Sequence, residues 1–377
     1  MKKLWILALG LAASLAGGAV RVVQDQCGPF TDVTPAFCPY ILELYYLGVT
    51  AGTSATTFSP DDPLTRGQGS VFVAKGLNQA LARSSRRAAL GQWWTTTPRY
   101  DVGLGSVSIP NVAHVASDGV DLWAAGGSTV YRVRASDGRV LDTWTAPSTI
   151  TGILVAMGRV FATSFFPEGT LSMLDPTQPG GAMTTVATLP QTSPYGMAFD
   201  GSRIWVTNQG QVSIVTPAST IPWPVTNVST GFDFPFGALY DGTNVWITDR
   251  GSDALLRVDS NGAIVQSIPI EDPQHPVFDG ANIWVPGGFT GTVVVVEAAT
   301  GAVRTSLTGI PGAFRAVFDG QRVLVTNLSD GVALWQAADL TSLGLFSTGF
   351  SSMPGNACSD GKDFWIALGG SNRLARF

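Results

Sequence analysis

Phe199-Asp200-Gly201-Ser202-Arg203-Ile204-Trp205-Val206-Thr207-Asn208 returns as Tyr240-Asp241-Gly242-Thr243-Asn244-Val245-Trp246-Ile247-Thr248-Asp249 and again as Phe278-Asp279-Gly280-Ala281-Asn282-Ile283-Trp284-Val285. Asp-Gly between two apolar runs is a strong hairpin signal, because a tight turn needs a positive φ that Gly adopts at little cost. The large aromatic stands five residues after the Asp, on the following strand and always on the same face. Weaker copies begin at Asp118 (with Trp123), Asp319 (with Leu324) and Asp360 (with Trp365). In one further copy Ala156 replaces the Asp, while Phe161 keeps the aromatic place. The seven anchors, 118, 156, 200, 241, 279, 319 and 360, are spaced by 38, 44, 41, 38, 40 and 41 residues. A period near 40 with several short strands per unit points to a β-propeller and not to a helical solenoid. Later strands and turns follow each anchor, as in Leu255–Val258 before Asn261-Gly262 and Val293–Glu297 before Thr300-Gly301. Four strands in each of seven units give a mainly β chain, a seven-bladed β-propeller with a small α-helical module before it.

The ends of the repeat array predict how the ring closes. The last unit stops at Phe377, one strand short, and Ser106-Val107-Ser108-Ile109-Pro110 resembles Gln266-Ser267-Ile268-Pro269, which precedes the Asp279 copy. Residues near 104–110 are therefore expected to pair with 373–377 as the outer strand of the last blade, which leaves no open sheet edge there.

Ahead of the propeller, Lys2 and Lys3 lead an apolar stretch from Leu4 to Leu15 and then small residues through Ala19, the pattern of a secretory signal peptide (1–19) cleaved near Ala16 or Ala19. No Cys follows directly, so a lipoprotein anchor is not expected, and no other stretch has the run of apolar residues that a membrane span needs. Only 13% of residues are charged and the net charge is −5, which argues against nucleic acid as a partner. Three cysteines suit an oxidising compartment. Cys27 and Cys38 flank a Gly-Pro turn and are expected to be bridged, while Cys358 reads as a small buried apolar residue.

Residues 20–82 follow a different pattern. Phe30-Thr31-Asp32-Val33 leads into a helical run, Tyr40–Leu47, that ends at Gly48; a second helix follows, with Val73, Leu77 and Leu81 on one stripe. Thr65 with Gln68 reads as a capping box at its start. Phe30, Asp32, Val33, Leu44, Gly48, Val49, Gly52, Phe58, Pro60, Thr65 and Arg66 stand where the S-layer homology (SLH) module has F-x-D-V, L-x-x-x-G-[IV]-x-x-G, F-x-P and T-R. The stretch 28–82 thus resembles that family, although Gly67 and Gln68 replace its usual Ala and Glu and only one module is present. The resemblance implies noncovalent attachment to a cell-wall or envelope polysaccharide, through Arg66 and, more weakly, Thr65 and Gly52.

Residues 83–97 read as a connector carrying Trp93-Trp94, and 98–377 as the propeller. Its repeat resembles the NHL and YVTN type, P-x-x-[IV]-A-F-D-G-x-x-I-W-V-[TA]-N, across all seven units. That resemblance implies the fold and is silent on chemistry, because propellers host lyases, lactonases, dehydrogenases and pure binding modules.

No H-E-x-x-H, G-x-S-x-G or P-loop is present, and two histidines cannot build a multi-His metal site. No metal or cofactor is expected. The repeat aspartates read as turn formers and the aromatics five residues on as core between blades. The residue four before each anchor should lie on the innermost strand near the channel mouth: His114, Gly152, Gly196, Gly237, His275, Arg315 and Asn356. Both histidines of the chain are in this ring. Tyr195, Phe236 and Phe314, one residue earlier, add aromatic walls. His114, His275, Arg315 and Asn356 are expected to form one polar arc, facing glycines that leave room for a ligand. Streptogramin-lyase-like propellers also use histidines near this mouth, but their repeat wording is not found here and none of their catalytic residues is carried over. The sequence therefore reads as a secreted, envelope-attached binding or scaffold protein. The alternatives are a propeller lyase or hydrolase using His275 or His114 as general acid or base, and an S-layer lattice tile.

Overall fold

A computed structural model of the chain describes residues 27, 29–34, 37–46, 49–82, 106–135, 138–165, 168–190 and 193–377. The proposed leader, residues 1–19, and the connector with Trp93-Trp94 lie outside them. The chain divides into two compact units, which are taken separately.

The first unit has two described helices, Cys38–Tyr46 and Arg66–Ala82. Its core is small: Cys27, Phe30 and Ile41 are buried, with Val33, Cys38, Tyr45 and Phe58 packed against them. Phe30 meets Tyr45 and Phe58 edge-on, with centroids 5.2 and 5.6 Å apart. The expected disulfide joins Cys27 to Cys38, with 5.3 Å between the Cα atoms, inside the range a bridge allows. Asp32 ties the start of the module to the loop before the second helix by accepting from the N–H groups of Phe58 (2.9 Å) and Ser59 (2.7 Å), and these bonds hold its carboxyl below the usual carboxylate range. Gly52 sits at φ +81°, where a Cβ would stand 2.5 Å from both Phe30 Cε1 and the Thr57 carbonyl oxygen, so the aromatic core itself requires glycine there. The first helix starts two residues earlier than Tyr40; Leu47 and Gly48 lie outside the described residues. Val73, expected on a buried stripe, is 72% exposed, and the side chains of Leu77 and Leu81 are not among those described. No described helix is long and apolar enough to cross a membrane.

Seven antiparallel sheets form the second unit, each a blade. Ring closure is as the repeat array predicts: Ser106, Val107 and Ser108 pair with Ala375, Leu374 and Arg373, in a sheet completed by Phe364–Leu368 and Pro354–Ser359. The other blades follow chain order with four strands each, apart from one exchange between blades one and two. The longest repeat spacing, 44 residues, supplies an extra element: Gly181–Ala182 leaves blade two and adds a parallel fifth strand to blade one, beside Trp144 and Thr145. In blade five the inner strand shrinks to Val277–Phe278. Pro273 and Pro276 bracket the missing part, and neither can donate to a sheet ladder.

The Asp-Gly turn is wider than a two-residue hairpin. Phe199 pairs with Ile204, so 200–203 lie between the strands. One oxygen of Asp200 accepts from the N–H groups of Ser202 and Arg203. The other oxygen accepts from the indole Nε1 of Trp205 at 2.8 Å. The same clasp joins Asp118 to Trp123, Asp241 to Trp246, Asp279 to Trp284 and Asp360 to Trp365, at 2.6 to 3.0 Å. The aspartates are therefore more than turn formers: each satisfies a buried indole N–H that would otherwise cost a hydrogen bond. Burial alone would raise the Asp200 carboxyl, but the bonds from Trp205, Arg203 and Ser202 hold it down to about 2. The degenerate copies obey the same logic. Phe161 has no N–H to satisfy, and its turn has lost the Asp. Leu324 has none either, and the second oxygen of Asp319 accepts from Arg322 Nε at 2.7 Å instead.

Each large residue enters one of seven separate cores. Trp123, Phe161, Trp205, Trp246, Trp284, Leu324 and Trp365 each belong to a different apolar cluster spanning two adjacent blades. Cys358 is only half-buried, not fully buried as the sequence suggests. It packs at the margin of the cluster between blades seven and one, on an inner strand with one edge on the channel.

Candidate functional site

The inner strands begin at one end of the channel, and the seven ring positions lie there, beside an irregularity in the strand register in most blades. The register shifts at Val112/His114, Ile150/Gly152, Pro194/Met197, Pro235/Ala238, Ala313/Arg315 and Pro354/Ala357. Such bulges re-aim side chains and recur beside functional sites.

What the ring residue can be is set eleven positions later, on the second strand. In blades two, three, four and six that partner is Thr163, Thr207, Thr248 or Thr326. Thr207 Oγ1 accepts from Gly196 N (2.7 Å) and donates to the Phe236 carbonyl of the next blade (2.6 Å). Thr326 likewise accepts from Arg315 N and donates to the Gly355 carbonyl. A Cβ on Gly196 would stand 2.4 Å from the Phe236 oxygen, and one on Gly237 or Gly152 would stand 2.9 Å from the Thr248 or Thr163 hydroxyl. The glycines therefore do not leave room for a ligand, as the sequence suggests. They let neighbouring inner strands approach and the threonine latches close. In blades one, five and seven the partner is Ala125, Pro286 or Ala367, and there the ring residue is His114, His275 or Asn356. Threonine stands opposite the glycines of blades two, three and four and is missing opposite His114, His275 and Asn356, and only Arg315 coexists with its threonine; the bond to the next blade forms in blades three and six.

Around the mouth the side chains divide into two halves. One is aromatic. Tyr195 lies 5.2 Å from Phe234 and 5.3 Å from Phe236, and Phe236 lies 4.5 Å from the His275 ring. His275 in turn meets Phe314 edge-on at 5.1 Å. Arg250 lies over Phe236 at 4.9 Å and pairs with Asp272 at 3.0 Å. Sequence reasoning missed Phe234 and Arg250; the Phe-Pro-Phe run at 234–236 was the available signal. The other half is polar. Asn356 Nδ2 meets His114 Nδ1 at 3.4 Å, and Arg315 Nε and Asn356 Oδ1 are buried with no hydrogen-bond partner among the described residues. His275 joins the halves. It leaves its own blade's ladder: its N–H donates to the Phe314 carbonyl (3.0 Å), and its carbonyl accepts from Ala316 N (3.1 Å), which sets it beside Arg315 on the next inner strand.

These groups influence each other electrostatically. Burial and then the Arg315 charge lower His114 to about 4. Burial, Arg315, His114 and Arg250 hold His275 well below the ordinary imidazole value. Burial brings Arg315 down to about 10. Both imidazoles are thus neutral at pH 7 beside a guanidinium, and no described carboxylate is hydrogen-bonded to either ring. Among the described residues no group of three or more His, Cys, Asp or Glu could hold a metal ion.

The polysaccharide candidates lie in the first unit. Thr65 caps the second helix: Gln68 N donates to Thr65 Oγ1 (3.2 Å), and Thr65 N donates to Gln68 Oε1 (2.9 Å). Arg66 is the first helical residue and is exposed. Gly52 lies against Phe30, as described above.

Residues 29–68 match the family model of the S-layer homology domain. An endoglucanase from Bacillus sp. (strain KSM-635) is 41% identical over 73 residues, which is 19% of this chain and 8% of the endoglucanase. The chain therefore spans less than a tenth of that relative's length. Among solved structures, a streptogramin B lyase is 15% identical with a TM-score of 0.58, covering 72% of this chain and 96% of its own. A selenomethionine-substituted virginiamycin B lyase from Staphylococcus aureus is 14% identical with a TM-score of 0.60, covering 72% and 97%. A chain of a mitotic checkpoint complex is 10% identical with a TM-score of 0.63, covering 75% and 93%. At these identities the likeness shows the fold alone. Residues 29–68 are thus an S-layer homology domain, and the strands from Ser106 to Arg376 are a seven-bladed β-propeller of the architecture these solved structures share.

Proposed function

We propose that the chain is a secreted, envelope-attached binding protein. Its SLH domain docks to a cell-wall or envelope polysaccharide, and its propeller offers a ligand site at the mouth where His114, His275, Arg315 and Asn356 meet the aromatic half. The family match at 29–68 carries the anchoring part, and the lysine-led apolar leader supports export. The mouth is favoured because it gathers buried basic groups, unpartnered polar atoms and aromatic walls at one end of the channel. A binder is favoured over a lyase or hydrolase because a desolvated imidazole beside a guanidinium, with no described carboxylate to orient it, is a weak general base at neutral pH.

Docking is tested by sedimentation with purified envelope polysaccharide. The full chain is expected to pellet with it, and Arg66→Ala to pellet several-fold less. Gln68→Ala, which removes the acceptor of Thr65 N from the capping box but leaves the Thr65 Oγ1 cap and the Arg66 charge in place, should lie between them. Equal sedimentation of wild type and Arg66→Ala would remove Arg66 from the docking surface.

A further inference from the structure

The polar half of the mouth makes two opposite demands that no group among the described residues meets. Arg315 Nε is a charged donor, buried and without an acceptor. Asn356 Oδ1 is an acceptor, buried and without a donor, on a side chain only 7% exposed. Buried polar atoms are nearly always paired, so each unpaired one needs an explanation. A plain anion would satisfy Arg315 but could not donate to Asn356. A neutral sugar or alcohol could donate to Asn356 but would leave the guanidinium uncompensated, with only neutral imidazoles beside it. Arg250 cannot help, since it is already paired with Asp272. The opposite half of the mouth is aromatic, with Tyr195, Phe314 and His275 each half-buried, Tyr195 packed on Phe236 and Phe314 edge-on to His275.

We propose that the channel mouth binds a hydroxylated carboxylate bearing a ring: the carboxylate lies at Arg315, the neighbouring hydroxyl donates to Asn356 Oδ1, and the ring face rests on the aromatic half. Uronic acids and aromatic hydroxy acids share this chemistry. The assignment rests on the reading of the mouth as the ligand site. The loss of the threonine latch in blades one, five and seven supports it independently, because those three blades supply His114, His275 and Asn356. Binding has a proton signature. The groups facing the histidines are Arg315 and Asn356 at His114, and Arg315, His114 and Arg250 at His275. A bound carboxylate offsets the Arg315 charge and favours the imidazolium forms, so the histidine pKa values rise in the complex. Binding then takes up protons, and affinity increases as the pH falls from 7 towards 5, where such acids remain ionised.

The test is calorimetric titration of the full chain with two matched pairs: D-glucuronate against D-glucose, and (R)-mandelate against phenylacetate. At least one hydroxy acid is expected to bind, with its partner lacking the carboxylate or the hydroxyl at least ~10-fold weaker, and to bind more tightly at pH 5 than at pH 7. Whichever pair binds tells whether the ring is a sugar or an arene. Arg315→Gln should weaken binding at least ~10-fold with the circular dichroism spectrum unchanged. Asn356→Asp, which sets a negative charge against the carboxylate, gives a second variant. Equal binding of glucose and glucuronate, or of mandelate and phenylacetate, overturns the hydroxy-acid assignment and leaves the mouth as a ligand site. Unchanged affinity in both folded variants places the ligand elsewhere and overturns the site as well. No heat with either acid, or affinity that does not rise on acidification of the wild type, overturns the assignment without any variant.

Discussion

Asp241→Ala is expected to destabilise the propeller by about 3–5 kcal/mol, far more than an ordinary turn substitution. The carboxylate accepts from Thr243 N and Asn244 N, each at 2.7 Å, and from the indole of Trp246 at 2.6 Å. Trp246 is fully buried, so its N–H has no water to turn to once the carboxylate is gone. Trp246→Phe alone should cost less, about 1–2 kcal/mol, because the ring volume is largely kept. The double variant recreates the Ala156 and Phe161 pair of blade two. It should be less destabilised than the sum of the two singles by about 1–3 kcal/mol, because removing the indole removes the unsatisfied donor. Denaturant unfolding of the four proteins measures this coupling, and strictly additive costs would show that the Asp–Trp clasp is incidental to the stability of each blade.

The second large effect is predicted at Gly196. A methyl group there meets backbone on the next blade, the Phe236 oxygen at 2.4 Å and Ala238 N at 3.0 Å. Backbone cannot swing aside as a side chain can. Gly196→Ala is therefore expected to cost about 3 kcal/mol or more, by prising apart blades three and four and opening the Thr207 latch. Gly355 supplies the comparison: it lies on the inner strand of blade seven with open space where a Cβ would go. Gly355→Ala should shift stability by about 0.5 kcal/mol or less. Similar costs at the two positions would mean that the inner strands can separate, and that the latch does not select which residues the ring accepts.

The seven repeats made the architecture legible, because the turn and the aromatic five residues later recur where every blade needs them. The closing strand was legible too, since Ser106–Ser108 repeats a motif that elsewhere forms an outer strand. The purpose of the aspartate was not. Turn chemistry alone accounts for Asp-Gly, and the indole bond shows only when Ala156 with Phe161 and Asp319 with Leu324 are read as paired losses. The ring positions were found by register, but their meaning was misjudged. A glycine in a repeat can signal open space or close contact, and only the distance to the next blade decides between them. The signal that could have decided it was the Thr eleven residues on, present opposite the glycines and missing opposite His114, His275 and Asn356. Arg250 and Phe234 escaped because they lie just outside the paired ends of two adjacent strands of blade four, where Phe234 meets Tyr195 of blade three and Arg250 lies over Phe236. The buried reading of Cys358 failed for a local reason: its strand borders the channel, so one side of it faces no neighbouring sheet.

His114 and His275 are the only histidines in the chain, so the imidazole nitrogens of uniformly 15N-labelled protein report on the mouth and on nothing else. Their resonances should be followed from pH 7.5 to 3.5, first alone and then with D-glucuronate, (R)-mandelate and a hydrolysate of envelope polysaccharide. Without ligand, both rings are predicted to stay neutral well below pH 6.5, with His114 titrating at about 4. With a ligand, both sets of signals should move saturably and the His114 midpoint should rise. Two imidazoles that titrate near the ordinary value of about 6.5, and that none of the three additions perturbs, would contradict the mouth as the binding site of this propeller.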